Sequence, residues 1–312
     1  MKRLILENEY LRMVVLPDYG AKISEITDKK ANYQWMWEDP QRKLRERNYG
    51  DLFEKHDISG FDECFPNIGL GKYPGSESFP LPDHGELWTQ KWSYLVDADS
   101  CTTYAKGVQL DYLFERKVTL RNNIFLFDYT ITNLGVLPFK AFWSAHPLLN
   151  IANNLHILIN GNPSMTKEFG FSGRMGQDGA DGYSDHLKHY VWPLTQGKNG
   201  ELHDLSTINL DVPLTDKVVI KSPEDGLVKI VNPQNKSSLS FKFDPEKIPY
   251  VGICYNINAW PFSGNKGAWL AIEPTQGATD ILEESCKLNA CLFLEPDCPF
   301  KFGFEMIFNP IT

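Results

Sequence analysis

Glu115-Arg116-Lys117-Val118-Thr119-Leu120, then Arg121-Asn122-Asn123, then Ile124-Phe125-Leu126-Phe127-Asp128-Tyr129-Thr130-Ile131-Thr132-Asn133: this stretch decides the fold class. Two runs rich in β-branched and aromatic residues flank a turn that asparagine favours, which predicts a hairpin. By the two-residue period Phe125, Phe127, Tyr129 and Ile131 share one face, and Leu126, Asp128 and Thr130 take the other. A second hairpin is predicted where Gly226-Leu227-Val228-Lys229-Ile230-Val231 meets Ser238-Leu239-Ser240-Phe241-Lys242-Phe243 across Asn232-Pro233-Gln234-Asn235. Ala268 to Ile272 and Phe302 to Phe308 read as further strands.

Helical periodicity is scarce, and the 20 prolines and 23 glycines are spread along the chain rather than gathered into a linker. The expectation is an all-β protein with one domain over residues 1–312. Residues 41 to 57 read as a short helix or a surface loop. Residues 160 to 204, dense in Gly, Asp and Asn, read as a long excursion from the sheet that rims a binding site.

Composition narrows the function. With 42% hydrophobic and 13% aromatic residues the chain is a globular one, and 31 Lys+Arg against 40 Asp+Glu give a net charge of −9. Phosphate backbones need clustered positive charge, so nucleic acid is not expected as a partner. No apolar stretch approaches the ~20 residues of a membrane-spanning helix, so no membrane partner is expected. The N-terminal Met1-Lys2-Arg3-Leu4-Ile5-Leu6-Glu7 meets an acid before any signal-length apolar run, so the expected location is cytoplasmic. The six cysteines, at 64, 101, 254, 286, 291 and 298, include no Cys-x-x-Cys pair and are expected to be reduced thiols.

Three motifs carry chemistry: Leu81-Pro82-Asp83-His84-Gly85-Glu86-Leu87-Trp88, His146-Pro147-Leu148-Leu149-Asn150-Ile151, and Ile272-Glu273-Pro274-Thr275-Gln276-Gly277-Ala278-Thr279-Asp280. Two histidines and a glutamate suffice for proton transfer at both ends of a sugar hemiacetal, because imidazole and carboxylate are both tuned by their surroundings. Trp88, Trp143, Trp260 and Trp269 lie beside the motifs, as indole platforms for sugar faces would. His186-Leu187-Lys188-His189 with Asp178, Asp181 and Asp185 fits neither an EF-hand nor a helical zinc-protease pattern, so no metal is expected.

In order and flanking residues the motifs resemble those of the aldose 1-epimerase (galactose mutarotase-like) family, especially its shorter bacterial branch, from about residue 5 to about residue 308. The resemblance implies a galactose mutarotase-like β-supersandwich that interconverts the anomers of a free aldose without a cofactor. It assigns His146 as the acid at the ring oxygen, Glu273 as the base, and His84 as a substrate anchor and auxiliary proton donor. Asn67, Trp88, Asn150 and Asp280 are the expected substrate contacts, with loop orientation weighed for Asp280 and Trp88 the first choice for stacking. The stretches Ile68-Gly69-Leu70-Gly71-Lys72 and Glu86-Leu87-Trp88 lack the arginines of the sugar-phosphate branch, which counts against a hexose phosphate. Ala145 stands where the galactose mutarotase branch has Asn. A sugar-binding protein without catalysis is the rival reading. A third is a glycoside hydrolase pairing Glu273 with Asp62, Glu63 or Glu86.

Overall fold

The computed structural model describes residues 1–39, 44–172, 174–177, 186–197, 200–261 and 266–311. Its strands pair antiparallel throughout their ladders, in a 14-stranded sheet packed against an 8-stranded one, with one α-helix at Leu282–Lys287 among the described residues. The stretch that opened the sequence reading forms strands Tyr112–Arg121 and Ile124–Asn133, with Arg121 paired to Ile124. Asn122 takes a left-handed φ of 50° in the turn, a conformation asparagine tolerates. Phe125, Phe127, Tyr129 and Ile131 are all buried, as their shared face requires.

The second hairpin joins Leu227–Asn232 to Ser237–Phe243. Ser237–Phe243 runs beside Phe300–Pro310, which also pairs with Ile124–Asn133, so both predicted hairpins lie in the smaller sheet. Its inner face stacks rings: Phe127 on Phe304 at 4.6 Å and Tyr129 on Phe302 at 4.9 Å. Against them the larger sheet packs Ile23, Val251, Ile253, Leu270 and Ile272, and residues of both sheets make one continuous core.

Across the middle of the larger sheet run strands Phe61–Cys64, Ser144–Asn150, Ala268–Thr275, Tyr250–Ile257, Leu214–Lys221 and Ser164–Ser172, in that order. A buried polar knot ties the first of these to the smaller sheet: Glu63 accepts from Arg116 Nη1 and Tyr129 OH at 2.9 Å and from Trp143 Nε1 at 2.6 Å. Every partner donates to the carboxylate, so its burial leaves no lone charge.

Two expectations are corrected, and one of two alternatives is decided. The segment 160–204 is not an excursion from the sheet: Ser164–Ser172 joins the larger sheet, and His189–Val191, Leu194–Gln196 and Leu202–Asp204 extend it to its edge. Residues 173, 178–185, 198 and 199, including Asp178, Asp181 and Asp185, lie outside the described residues. Cys286 and Cys291 form a disulfide across the end of the helix, so those two are not thiols; Cys64, Cys101 and Cys254 are free and buried, and Cys298 is free and exposed. Within 41–57 the described part is loop with a single 3-10 turn at Phe53–Lys55.

Candidate active site

On the outer face of the larger sheet, away from the smaller one, lies a cavity of about 370 Å³ whose lining includes His84, His146, Lys217, Glu273 and Asp280. Strand pairing explains the meeting of the second and third motifs. Ser144 pairs with Thr275 and Leu148 with Ala271, a register that sets His146 opposite Glu273. Residues two apart share a face, so Leu148 and Trp269 line the same cavity. His146 Nε2 stands 3.8 Å from Glu273 Oε1, too far for a direct hydrogen bond and close enough for both to serve neighbouring oxygens of one ligand.

The first motif arrives on a turn. His84 and Gly85 both have left-handed φ, 58° and 74°, and a Cβ on Gly85 would lie 2.3 Å from Phe65 O, so only glycine fits there. This bend directs the His84 ring toward His146, with centroids 4.9 Å apart. Asp83 holds it from behind, Oδ1 2.8 Å from His84 Nδ1, while Asp83 Oδ2 accepts from Phe53 N–H at 2.8 Å. Burial pushes the Asp83 pKa up, but the His84 imidazole and the Phe53 N–H outweigh it and leave the carboxyl below its ordinary value. Phe53 lies flat on His84 at 4.0 Å and edge-on to His146 at 5.3 Å.

Lys217 was not anticipated. It projects from strand Leu214–Lys221 and makes ion pairs with Glu273 Oε2 at 2.6 Å and Asp280 Oδ1 at 2.7 Å. The strand between carries Gly252 opposite Glu273, and the absence of a side chain there gives Lys217 its path. Burial lowers the Lys217 pKa, but Asp280 and Glu273 reverse the effect and keep the ammonium charged. For Glu273 burial is the largest influence and raises the pKa, with Lys217 opposing and Asp280 reinforcing. His146 is driven well below its ordinary value by burial first and then by His84 and Lys217. Burial therefore disfavours charge on both members of the pair.

Of the expected contacts, His84, His146, Glu273 and Asp280 line the cavity. Asn67, Trp88 and Asn150, also expected as substrate contacts, do not line it. Asn67 is buried and donates to Gly69 O and Pro82 O, fixing the turn that carries His84. Asn150 donates to Gln34 O and Met36 O. Trp88 is wholly buried behind Phe53, donates Nε1–H to Asp83 O at 2.8 Å, and takes the Arg47 guanidinium on its ring. Trp143 is spent on Glu63. The indoles that do line the cavity are Trp260 and Trp269, edge to face at 6.2 Å, and Trp269 Nε1 is buried with no hydrogen-bond partner among the described residues.

Nor do the carboxylates named for a hydrolase reach the cavity. Asp62 pairs with Lys22 and Arg47, Glu63 is held in the core, and Glu86 accepts from the backbone of Val108 and Gln109. His186 bonds Glu168 O and Glu284, and no cluster of metal-ligand type occurs among the described residues.

No family model and no curated protein matches the sequence. Solved structures do. A galactose mutarotase related enzyme from Lactobacillus acidophilus superposes with a TM-score of 0.70 over 100% of this chain and 98% of its own, at 17% identity. A galactose mutarotase-like protein from Lactobacillus casei gives 0.66 over 99% and 100%, at 16% identity. A TPR-domain containing protein from Parabacteroides distasonis gives 0.68 over 99% of this chain and 48% of its own, at 12% identity. The likeness is one of fold, which is that of the galactose mutarotase-like proteins.

Proposed function

We propose that this chain is an aldose 1-epimerase acting on a free, uncharged sugar. The observation that carries the reading is the placement of His146 Nε2 and Glu273 Oε1 3.8 Å apart on the floor of one cavity. In a hemiacetal the anomeric hydroxyl and the ring oxygen sit on the same carbon, so an acid and a base serving them must converge in this way. Glu273 takes the hydroxyl proton, His146 delivers one to the ring oxygen, the ring opens to the aldehyde, and closure after bond rotation reverses both transfers. The pair carries one proton throughout. A carboxylate beside an imidazole favours its charged form, and the proton the cycle needs on His146 is gained only with the sugar in place, because burial, then His84 and Lys217, empty the imidazole in the free site.

Asp83, Glu273 and Asp280 set three carboxylates against the single ammonium of Lys217 in the lining, and that ammonium is already paired twice. An anionic sugar would meet these carboxylates with no unpaired lysine or arginine among the described residues of the lining, which supports a neutral aldose over a phosphorylated one. The Trp260 and Trp269 faces supply apolar surface for sugar C–H groups, and His84, held by Asp83, supplies a hydroxyl contact.

Polarimetry on freshly dissolved α-D-glucose, α-D-galactose and a panel of other aldoses tests this. Native protein should accelerate mutarotation of at least one sugar, and Glu273→Gln should lose about 10²–10⁴ of that acceleration. Sugar binding with no acceleration would leave a carbohydrate-binding protein.

A further inference from the structure

Lys217 makes two short ion pairs at once, with Glu273 at 2.6 Å and Asp280 at 2.7 Å, at almost complete burial. A lysine that merely neutralised Glu273 would need one partner. A base, however, changes charge in every cycle. If Glu273 were the sole partner of a buried ammonium, each proton it accepted would leave that ammonium uncompensated, at a heavy cost in a dry site.

We propose that Lys217 and Asp280 together buffer the charge of Glu273: Lys217 keeps the free carboxylate ionised as the base, and Asp280 keeps Lys217 compensated once Glu273 has taken a proton. Lys217 is thus a positioning residue, acting through Glu273 and not on the sugar. The backbone is built for it, since a Cβ on Gly252 would meet Glu273 Oε2 at 2.8 Å and Lys217 Cε at 3.3 Å. Asp280 is likewise fixed: its carbonyl accepts from Gly69 N at 2.7 Å, and its own N–H donates to Glu168 Oε1 at 3.2 Å. The other ionisable groups around Glu273 are His146 across the ladder, His84 on its turn, and the thiols of Cys254 and Cys64. Glu168 stands behind Asp280. Cys254 and His146 also feel both Lys217 and Glu273, but among the described residues Asp280 is the second carboxylate paired with the ammonium.

The inference rests on Glu273 being the base, and its test does not. In protein labelled with 13C at the glutamate carboxyl, the Glu273 resonance is assigned by its loss in Glu273→Gln and titrated without sugar. Asp280→Asn, which removes the charge and keeps the shape, should move the Glu273 titration to lower pH. Lys217→Met should move it to higher pH, and Lys217→Arg should hold it near native. Opposite shifts are what two opposed charges on one carboxylate require; a structural role would not produce them. Should Lys217→Met fail to fold, Asp280→Asn and Lys217→Arg still decide. An Asp280→Asn titration that stays in place or moves upward overturns the proposal. Polarimetry on the same proteins reads catalysis separately: opposite shifts without mutarotation would leave the charge device standing and remove the epimerase reading.

Discussion

Gly252 lies directly across the ladder from Glu273, and a Cβ added to it would stand 2.8 Å from the Glu273 Oε2 that Lys217 holds. One missing methyl group therefore decides whether the carboxylate and the ammonium meet. Gly252→Ala should displace Glu273 by a fraction of an ångström while the ladder bonds, which are backbone, persist. The expected result is a loss of about 10²-fold in kcat/KM for mutarotation with an unchanged circular dichroism spectrum. Full activity in Gly252→Ala would mean that the side chains can part without consequence.

Phe53 organises both histidines, flat against His84 and edge-on to His146, although it comes from a loop with only one 3-10 turn. Phe53→Leu keeps apolar bulk against Trp88 but removes the ring. Ring pairs of this type contribute about 0.5–1.5 kcal/mol beyond burial. Mutarotation should accordingly slow by about 3- to 10-fold. Steady-state polarimetry checks this, and an increase in KM alone would place Phe53 in sugar contact and not in histidine alignment.

Trp88 behaves as part of the scaffold. Its indole is covered by Phe53, His56 and Arg47, and its Nε1–H satisfies the Asp83 carbonyl. Trp88→Phe should cost about 1–3 kcal/mol in denaturant unfolding, because a buried carbonyl loses its donor. Its sugar KM should stay within about twofold of native, whereas removing a stacking platform would change it by more.

These contrasts show where the sequence was informative. Alternation in Ile124–Asn133 exposed a strand because one face meets the core and the other does not, and the core reads only polarity. His84, His146 and Glu273, which meet in one cavity, stood out through the resemblance of the short runs around them, with Gly85 at the turn and Pro147 and Pro274 within the strands. Lys217 was hidden for the opposite reason. In Leu214-Thr215-Asp216-Lys217-Val218-Val219 it looks like one solvated position of an alternating strand, and its burial depends on carboxylates 56 and 63 residues further on in Glu273 and Asp280. Trp88 and Asn150 misled because a place in or beside a motif does not show that a side chain is spent on the scaffold: Trp88 on Asp83 O, and Asn150, two residues beyond Leu148, on Gln34 O and Met36 O. Gly252 was silent altogether, since a gap announces itself only against what fills it.

Glu168 offers a measurement independent of any sugar. It is nearly buried, its Oε2 has no hydrogen-bond partner among the described residues, and burial, then the Asp280 charge, push its pKa up to about 8 from 4.5. Lys217 and His186 oppose the shift without cancelling it. The native protein thus keeps this proton over a range in which the unfolded chain has released it. Its contribution to stability is fully present below the unfolded value of 4.5 and is lost as pH rises toward about 8. Glu168→Gln retains the Oε1 that accepts from Asp280 N–H and never ionises. Its Tm should run close to native near pH 5 and rise above native as pH approaches 8, by about 2–4 °C for each kcal/mol of stability the native protein has lost. Melting curves over that pH series decide it: parallel Tm profiles would mean that Glu168 is already ionised in the native protein at pH 5, with its charge carried by Lys217 and His186.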